Sequence, residues 1–360
     1  MHKLQFVQLL KKTKRFIVGL IAHLRRFPFF VYNVYSAKCM ESKTGSNRCI
    51  AIYDLSCNPI TYDFASFLFC ADSHFCSCGY DQFEVLIIAS KTAVAESATK
   101  YKLPYSCDQI EDRIQRLLLP LARHYANCFS TIILPSHADV RQYLARRFFL
   151  YPPDYNPILN KSRYTHHDLF KYGKIGILEG GLSISTNHAT DALHWLASRN
   201  ITCKFVVMTC RESVFQPLRN SSANRIKYIS QCLNKAGFQV VVVPDTESDA
   251  KFKHENQGFY TVCELAAYDM TFRLALYRLS SLCYFDANGP YLLALLTKSI
   301  RFIINNYNPY WTIDELAAAG IKYGEQPFTT DKVGKRRGEW LWDPVTDEQL
   351  METIREFLDI

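Results

Sequence analysis

Two short apolar runs between Phe205 and Ser248 restrict the possible folds of this chain more than any other feature. The runs FVVMT and FQVVVV are rich in β-branched residues and are bounded by polar residues, a pattern typical of buried strands. An amphipathic segment of helical length lies between them. The stretch therefore predicts a strand, a helix and a second strand, and with them an α/β fold built on a parallel sheet.

The N-terminal half repeats this alternation. Its predicted strands are CIAIYDL, FEVLIIA and STIILPS, and a helix is expected after each of them. The first helix begins near Asp63, and the second runs from Cys107 to Cys128 with a kink at Pro120. Because 360 residues exceed the size of a usual single core, we expect two domains.

The excess of positive charge lies at the N-terminus. Residues 1–40 contain eight Lys or Arg and no acid, so the remaining 34 basic residues balance the 34 acidic ones. Within residues 1–30 the longest uncharged run, Phe16 to Leu24, has nine residues, whereas a membrane-spanning helix needs about 20. The pattern predicts a basic amphipathic helix. Either residues 1–36 lie on an anionic membrane surface, or the helix packs on the protein with its basic face in solvent.

The cysteines and the basic residues indicate where the protein is located and which partners it is expected to bind. Thirteen cysteines without a repeated framework favour reduced thiols and a cytoplasmic location, with peripheral attachment to the inner face of the membrane as an addition through residues 1–36. Nucleic acid is not an expected partner, because the basic residues are not interleaved with stacking aromatics. The basic loop DKVGKRRGEW is interpreted as a solvated run of charge. The only dense group of potential metal ligands comprises Cys70, His74, Cys76 and Cys78. No metal is predicted, because the sequence has no second Cys or His pair at a matching distance from this group.

Polar side chains are concentrated after the predicted strands of the second half. Parallel sheets bind ligands at the carboxyl ends of their strands, so these residues are candidates for binding phosphate and sugar groups. The candidates after FVVMT are Arg211, Glu212, Arg219, Asn220 and Ser221, and those after the later strands are Asp245, Glu264, Asn288, Gly289 and Pro290. For Arg211 the alternative is a structural ion pair with Glu212 or Asp245.

The segment DANGPYLLALL predicts a helix that begins at a proline. Proline suits the first turn because its missing N–H has no partner inside the helix. Free backbone N–H groups at this helix start, approached closely through Gly289, are expected to bind a diphosphate. Gly180 and Gly181 lack the G-x-G-x-x-G spacing, so the sequence has no dinucleotide-binding fingerprint.

Two carboxylates in the first half are candidate bases. Asp54 ends the first predicted strand and Asp63 lies near the start of the helix that follows. Either could deprotonate a substrate hydroxyl. Acids at helix starts are also common caps, and that alternative stays open for both.

Three stretches resemble glycosyltransferases of the GT-B class: YDLSCNPITYDF, the pair TCRESVFQPLRNS and VVVPDTES, and DANGPYLLALL. The last is similar to the helix start with which heptosyltransferase-like enzymes hold the donor diphosphate, and TCRES is similar in placement to the arginine-bearing strand end of fucosyltransferase-like enzymes. The resemblance implies two Rossmann-like domains that face each other across a cleft. It further implies an acceptor domain at 45–165, a nucleotide-sugar domain at 170–335 and a C-terminal helix at 336–360 that packs back on the first domain.

The resemblance also implies an activity, which is metal-independent transfer of a sugar from a nucleotide-diphosphate sugar to a hydroxyl of a glycan or lipid-linked acceptor. Arg211 and Arg219 would neutralise the leaving diphosphate, Asp245 and Glu264 would bind hydroxyls, and Asp54 or Asp63 would be the base. The absence of a D-x-D pair agrees with this, whereas the HxRRxD-type strand end of fucosyltransferases is missing. A nucleotide- or sugar-binding protein of the same fold that lacks catalysis is the alternative.

Overall fold

The computed structural model describes residues 48–89, 106–144, 149–156, 169–170, 180–202, 204–213, 216–246, 258–286, 288–318, 321–331 and 333–360. The predicted basic helix at 1–40 lies outside these residues. Within them, no helix has both the length and the apolar character that crossing a membrane requires.

Ten strands of the described chain form two sheets. The first sheet contains β1 (Cys49–Asp54), β2 (Phe83–Ile88), β3 (Cys128–Leu134) and β4 (Phe149–Tyr151), and the second contains β5 (Phe205–Thr209), β6 (Gln239–Val243), β7 (Thr261–Val262), β8 (Leu282–Asp286), β9 (Phe302–Asn305) and β10 (Gly338–Leu341). The strand order is β3-β2-β1-β4 in the first sheet and β10-β9-β8-β5-β6-β7 in the second.

The pairing confirms the predicted α/β fold with parallel sheets. β1 runs parallel to β2 and β4, and every neighbouring pair of the second sheet is parallel. Both strands of the βαβ unit formed by β5 and β6 are buried almost throughout, as their continuous apolar runs predict. In the second sheet the chain order reverses between β5 and β8, which defines a topological switch point there.

Helices alternate with these strands as the sequence predicts. They are α1 (Asp63–Ser77), α2 (Cys107–Arg113), α3 (Leu119–His124), α4 (His137–Tyr143), α5 (Thr186–Ser198), α6 (Ala223–Lys235), α7 (Leu265–Tyr268), α8 (Met270–Leu279), α9 (Tyr291–Leu295), α10 (Ile313–Ala318) and α11 (Asp347–Leu358).

The predicted helix from Cys107 to Cys128 is interrupted. A π-helical turn at Ile114–Leu118 separates α2 from α3, which carries Pro120 in its first turn. The proline has no N–H to donate, and a wider turn before it accommodates the change in backbone pairing. The kink expected at this proline therefore takes the form of a local change in helix type.

The described residues fall into two compact units, and each unit is built from three separate segments of the chain. The first unit draws on Met1–Pro59, His74–Cys107 and Phe129–Tyr164, and the second on Ile60–Ser73, Asp108–Cys128 and Thr165–Ile360. Asp63 therefore belongs to the second unit, although the sequence analysis assigned it to the first domain together with Asp54. The reason is local, because the start of α1 packs against residues of the second unit, as described below for Tyr62.

The C-terminal helix α11 packs within the second unit. Its residues Leu350, Ile354 and Phe357 share a buried cluster with side chains of β5, β6 and α6. Its start is fixed by a capping box between Thr346 and Gln349. The sequence analysis placed this helix on the first domain, whereas the contacts that the structure gives it are with the second unit, because its apolar face completes that core.

Arg337 is buried, which differs from the solvated charge run expected for this loop. Its side chain is 5% exposed, and Nη2 donates to the carbonyl oxygens of Ala294 and Thr297, at 2.5 and 2.8 Å. It thereby satisfies carbonyl groups at the end of α9 that have no partner within the helix. Burial lowers the pKa of Arg337 to about 10.

Candidate functional site

The loop after β5 is folded around Arg211. The backbone N–H of Arg211 donates to Ser221 Oγ at 2.8 Å, and the N–H of Ser221 donates back to the Arg211 carbonyl at 2.8 Å. The Arg211 guanidinium is buried, and its Nη1 donates to Asn220 Oδ1 at 2.6 Å and to the Gln216 carbonyl at 3.1 Å. The predicted residues Arg211, Asn220 and Ser221 are therefore brought together, and their polar atoms shape the loop.

Arg219 is the second guanidinium of this loop. It ends the 3-10 turn Pro217–Arg219, and its Nη1 donates to Gln216 Oε1 at 2.6 Å. Burial, and then the positive charge of Arg211, lower the pKa of Arg219 to about 10. The loop thus holds two guanidinium groups within electrostatic reach of each other, which concentrates positive charge at the carboxyl end of β5.

Asn288 connects the turn after β8 to the end of β5. Its Nδ2 donates to the carbonyl oxygens of Thr209 and Cys210, at 3.2 and 3.3 Å. Asn288 is 7% exposed, so these bonds form in a buried environment. The arginine-bearing loop and the turn Asn288–Gly289–Pro290, which are far apart in sequence, therefore meet at the topological switch point.

The backbone of that turn differs from the prediction. The helix α9 has only five residues, and the N–H groups of Tyr291, Leu292 and Leu293 donate to the carbonyl oxygens three residues before them. The expected set of free N–H groups at this helix start is not available, because short i to i−3 turns already use them.

Gly289 serves a packing purpose that sequence reasoning did not foresee. A Cβ atom at this position would lie 3.0 Å from both Cβ and Cδ2 of Tyr62. Tyr62 in turn accepts a hydrogen bond at its hydroxyl from Nη1 of the buried Arg273, at 2.7 Å. The glycine therefore lets the Tyr62 ring lie directly against the turn after β8.

Three acceptor oxygens line the ends of β8 and β9. In the described part of the chain, Asp286 Oδ2, Asn288 Oδ1 and Asn305 Oδ1 are buried and accept no hydrogen bond. The other Asp286 oxygen, Oδ1, accepts from Tyr284 Oη at 2.5 Å and from Asn305 Nδ2 at 3.1 Å. Sequence reasoning missed Asp286 and Asn305 as site residues, although both end parallel strands and so carry the positional signal that selected the others.

The other residues that were predicted to bind the nucleotide sugar follow β6 and β7. Asp245 follows β6, and its Oδ2 accepts from the backbone N–H of Glu212 at 3.2 Å. Glu264 follows β7, two strands away from β5, and it is exposed. The Glu212 N–H thus joins Asp245 to the loop after β5.

The two predicted carboxylate bases lie in different units. Asp63 is the first residue of α1 in the second unit. Burial, followed by the negative charge of Asp63, raises the pKa of Tyr291, and the charge of Arg219 opposes that rise. Asp63 is therefore electrostatically coupled to Tyr291 on the turn after β8.

Asp54, in the first unit, is paired with a histidine. Its Oδ2 lies 2.8 Å from Nε2 of His137, and its Oδ1 accepts the backbone N–H of Ser56 at 2.9 Å. The side chains of His137 and Asp54 are 17% and 1% exposed. Sequence reasoning missed His137, and the signal that could have found it is its place at the start of the helix after β3, which lies two strands away from β1 in the same sheet.

Among the described residues, no three His, Cys, Asp or Glu side chains are grouped so that they could hold a metal ion. His74 packs against aromatic rings, with ring-centroid distances of 5.3 Å to Phe149 and 5.5 Å to Tyr151. Of the cysteines in the same group, Cys70 is buried, Cys76 is partly buried and Cys78 is exposed.

Solved structures that are similar to this chain include glycosyltransferases. A glycosyl transferase family 9 protein from Veillonella parvula is similar to 87% of this chain over 97% of its own length, with a TM-score of 0.50 and 10% sequence identity. The chain has a distant GT-B glycosyltransferase-like fold. The E. coli ADP-heptose lps heptosyltransferase II covers 86% of the chain at a TM-score of 0.40 and 10% identity. No protein-family model matches the sequence, and neither does any curated protein.

Proposed function

We propose that this GT-B-like protein is a metal-independent glycosyltransferase that moves a sugar from a nucleotide-diphosphate sugar to a hydroxyl acceptor. The observation that carries the proposal is the junction at the switch point of the second sheet. There the Asn288 amide joins the turn after β8 to the loop that bears Arg211 and Arg219. Open parallel sheets bind their ligands at such a point.

The charge at this junction suits a diphosphate. Two guanidinium groups in a partly buried loop repel each other, and an anion bound between them would relieve that repulsion. In the transfer reaction the same groups would stabilise the negative charge that develops on the leaving diphosphate. Because the N–H groups at the start of α9 are already paired, we assign diphosphate binding mainly to Arg211 and Arg219.

The acceptor oxygens suit hydroxyl groups. Buried oxygens of Asp286, Asn288 and Asn305 have no hydrogen-bond donor among the described residues, and unsatisfied buried acceptors are costly. Hydroxyls of the transferred sugar would donate to them. We assign the same kind of contact to Asp245, whose carboxylate is joined to the loop through the Glu212 N–H.

The first test is nucleotide binding. Isothermal titration of the full chain with UDP, GDP, ADP and CMP, each with and without EDTA, is expected to give micromolar binding of at least one nucleoside diphosphate that EDTA does not weaken. The variant Arg219→Gln is expected to reduce its affinity about 10-fold or more, because a charge-assisted hydrogen bond contributes about 1.5–3 kcal/mol.

The matched control is Arg116→Gln. It removes the same charge from an exposed ion pair with Asp112, so it is expected to change the affinity by less than about twofold. A wild-type protein that binds none of the four nucleotides would refute the donor site. An equal loss in both arginine variants would show that net charge, and not the loop, is responsible.

We also propose that residues 1–36 place the enzyme on an anionic membrane surface, where a lipid-linked acceptor would be found. The support is the run of basic residues without acids at 1–40. Deletion of residues 1–36 is expected to abolish co-sedimentation with phosphatidylserine vesicles while nucleotide affinity is kept. Co-sedimentation that survives the deletion would contradict this location.

A further inference from the structure

We propose that Arg273, in the second unit, binds an oxyanion of the donor in addition to the groups held by Arg211 and Arg219. The oxyanion is either the terminal phosphate of the nucleotide or a carboxylate on the transferred sugar. This inference rests on the proposed glycosyltransferase function and deepens it, because it adds a binding residue and restricts the class of donor.

Arg273 is a buried cation whose hydrogen-bond partners are neutral. It is 3% exposed, Nε donates to the carbonyl oxygen of Ala266 at 2.5 Å, and Nη1 donates to the Tyr62 hydroxyl at 2.7 Å. Within the described ranges, no carboxylate lies within ion-pair distance of the guanidinium. Buried charges are normally paired, because desolvation raises the energy of an unpaired charge and no Coulombic attraction offsets it. An anionic ligand would supply the missing partner.

The direction of α8 places Arg273 at the carboxyl edge of the second sheet. After this helix, the N–H of Ser281 donates to the carbonyl oxygen of Phe205, at the start of β5. Tyr277, within the helix, shares a hydrogen bond of 2.6 Å with Thr209, at the end of β5. The helix therefore runs antiparallel to β5. Arg273 lies one helical turn before Tyr277 on the same face, so it lies level with the loop that follows β5.

Arg273 is also connected to the ends of the strands on both sides of β5. The Tyr62 ring, which holds Arg273, lies against the turn after β8, since a Cβ atom on Gly289 would be 3.0 Å from Tyr62 Cδ2. Burial acts to lower the pKa of Arg273, but the neighbouring Tyr62, Tyr277 and Asp245 raise it. Asp245 follows β6. The guanidinium thus lies near the strand ends that form the switch point, where open parallel sheets bind ligands.

The donors of this guanidinium suit an oxyanion. A guanidinium carries five N–H donors in a planar fork and no acceptor. Nε and Nη1 hold Ala266 and Tyr62, whereas Nη2 donates to no residue in the described part of the chain. Phosphate and carboxylate groups form the strongest hydrogen bonds with such donors, because the bonds are assisted by charge. The site therefore favours an anionic group over a sugar hydroxyl.

Isothermal titration of the full chain separates the two sources of the oxyanion. UDP, GDP and ADP are each compared with the corresponding monophosphate, and UDP-glucuronate and GDP-mannuronate are compared with UDP-glucose and GDP-mannose. Arg273→Met is expected to lower the affinity for the member of a pair that carries the oxyanion by about 10-fold or more, because a charge-assisted hydrogen bond is lost. Affinity for the other member should change by less than about twofold. A difference in the first set identifies the phosphate, and one in the second set identifies the carboxylate.

The matched control is Arg278→Met in the same helix. The Arg278 guanidinium also donates to a carbonyl oxygen, that of Ile184 at 2.9 Å, but the residue is exposed. Its loss is expected to change every affinity by less than about twofold. Tyr62→Phe removes the hydroxyl that holds Arg273 and keeps the guanidinium, so a loss of less than about threefold is expected.

Several outcomes would overturn the assignment. Affinities of Arg273→Met within about twofold of wild type for every ligand would refute the oxyanion contact and leave the site of Arg211 and Arg219 intact. Equal losses for both members of each pair would also refute it, and so would equal losses in Arg273→Met and Tyr62→Phe, because the guanidinium would then act only by holding the tyrosine.

If Arg273→Met does not fold, Arg273→Lys decides. Lysine keeps the charge without the fork, so the affinity for the oxyanion-bearing ligand is expected to fall about 3–10-fold, and an unchanged affinity would overturn the assignment. A wild-type chain that binds none of these nucleotides would overturn the donor site of the proposed function together with this contact.

Discussion

The carboxyl ends of the two parallel sheets carry different chemistry. In the first unit the strand ends bring together a carboxylate and an imidazole, Asp54 and His137, at 2.8 Å. In the second unit they bring together the guanidinium groups of Arg211 and Arg219 and the buried acceptor oxygens near Asp286. The same type of sheet edge therefore presents a carboxylate and an imidazole in one unit, and guanidinium groups with buried acceptor oxygens in the other.

This difference separates two tasks that a sugar transfer requires. The Asp54 and His137 side chains are hydrogen-bond partners of each other. The groups of the second unit use part of their hydrogen-bonding capacity on the loop, and three acceptor oxygens near them have no donor among the described residues. Under the proposed function, variants of the first edge should affect kcat, and variants of the second should affect donor binding as well.

The largest effect is expected for Arg211→Ala. Loss of this guanidinium removes both charge near the leaving diphosphate and the bonds to Gln216 and Asn220 that shape the loop. Turnover is expected to fall on the order of 10²–10³-fold, the size typical of a lost transition-state donor. Steady-state kinetics and nucleotide titration measure it.

Arg211→Lys separates the two contributions of Arg211. It keeps the positive charge without the forked geometry, so an intermediate loss is expected. Full activity of Arg211→Ala, or a loss of kcat with unchanged nucleotide affinity, would contradict a role of Arg211 in donor binding.

A smaller effect is expected for Asp286→Asn. The change keeps the shape and an oxygen for Tyr284 and Asn305, but it replaces the buried acceptor Oδ2 with a donor. Affinity for the nucleotide sugar is expected to fall about 10–100-fold, the range for a lost hydrogen bond to a charged group. Affinity for the nucleoside diphosphate alone should stay within about twofold. Equal losses for both ligands would contradict a role in sugar recognition.

Gly289→Ala tests the packing that supports the second edge. The new methyl group would meet Cβ and Cδ2 of Tyr62 at 3.0 Å, so the free energy of unfolding is expected to drop by about 1–2 kcal/mol. Urea denaturation of the full chain measures it. In a Tyr62→Gly background the same change should cost less, and an unaltered cost would show that the Tyr62 ring is not the obstacle.

The smallest effect concerns acid stability of the first unit. Burial lowers the pKa of His74 from 6.5 to about 4, so below pH 6.5 the unfolded chain takes up a proton that the folded chain does not. Stability should therefore decrease as the pH falls from about 6.5 to about 4, by about 1 kcal/mol between pH 6 and pH 5. His74→Phe is expected to reduce this loss, whereas the exposed His194→Phe should not. Parallel acid unfolding of all three proteins would contradict the prediction.

Much of the fold follows from the sequence, because long apolar runs identify strands without knowledge of their neighbours. The strands β5 and β6 and the helix between them have the expected order and type. The short strands β4, β7 and β10 were not predicted, since two to four residues form a strand only through pairing with an existing one.

Candidate residues could be selected from the sequence by their position after strands, whereas their contacts could be predicted only in part. Residues such as Arg211 and Asn288 were recognisable because they follow strands. The pairing of Asp54 with His137 spans 83 residues. The pairing of the α9 N–H groups depends on the geometry of the turn at Pro290, which the presence of a proline does not determine. Arg337 was misread for the same reason, because its burial depends on carbonyl groups about 40 residues away.

The interleaving of the two units has a consequence for dissecting the protein. The chain passes between units at Pro59 and Ile60, again at Ser73 and His74, and three more times before Thr165. A fragment that starts at Thr165 lacks the Tyr62 segment of α1 and the segment Asp108–Cys128, both of which belong to the second unit. No single cut yields either unit whole, so half-molecule expression and domain exchange at the apparent linker would each produce an incomplete core.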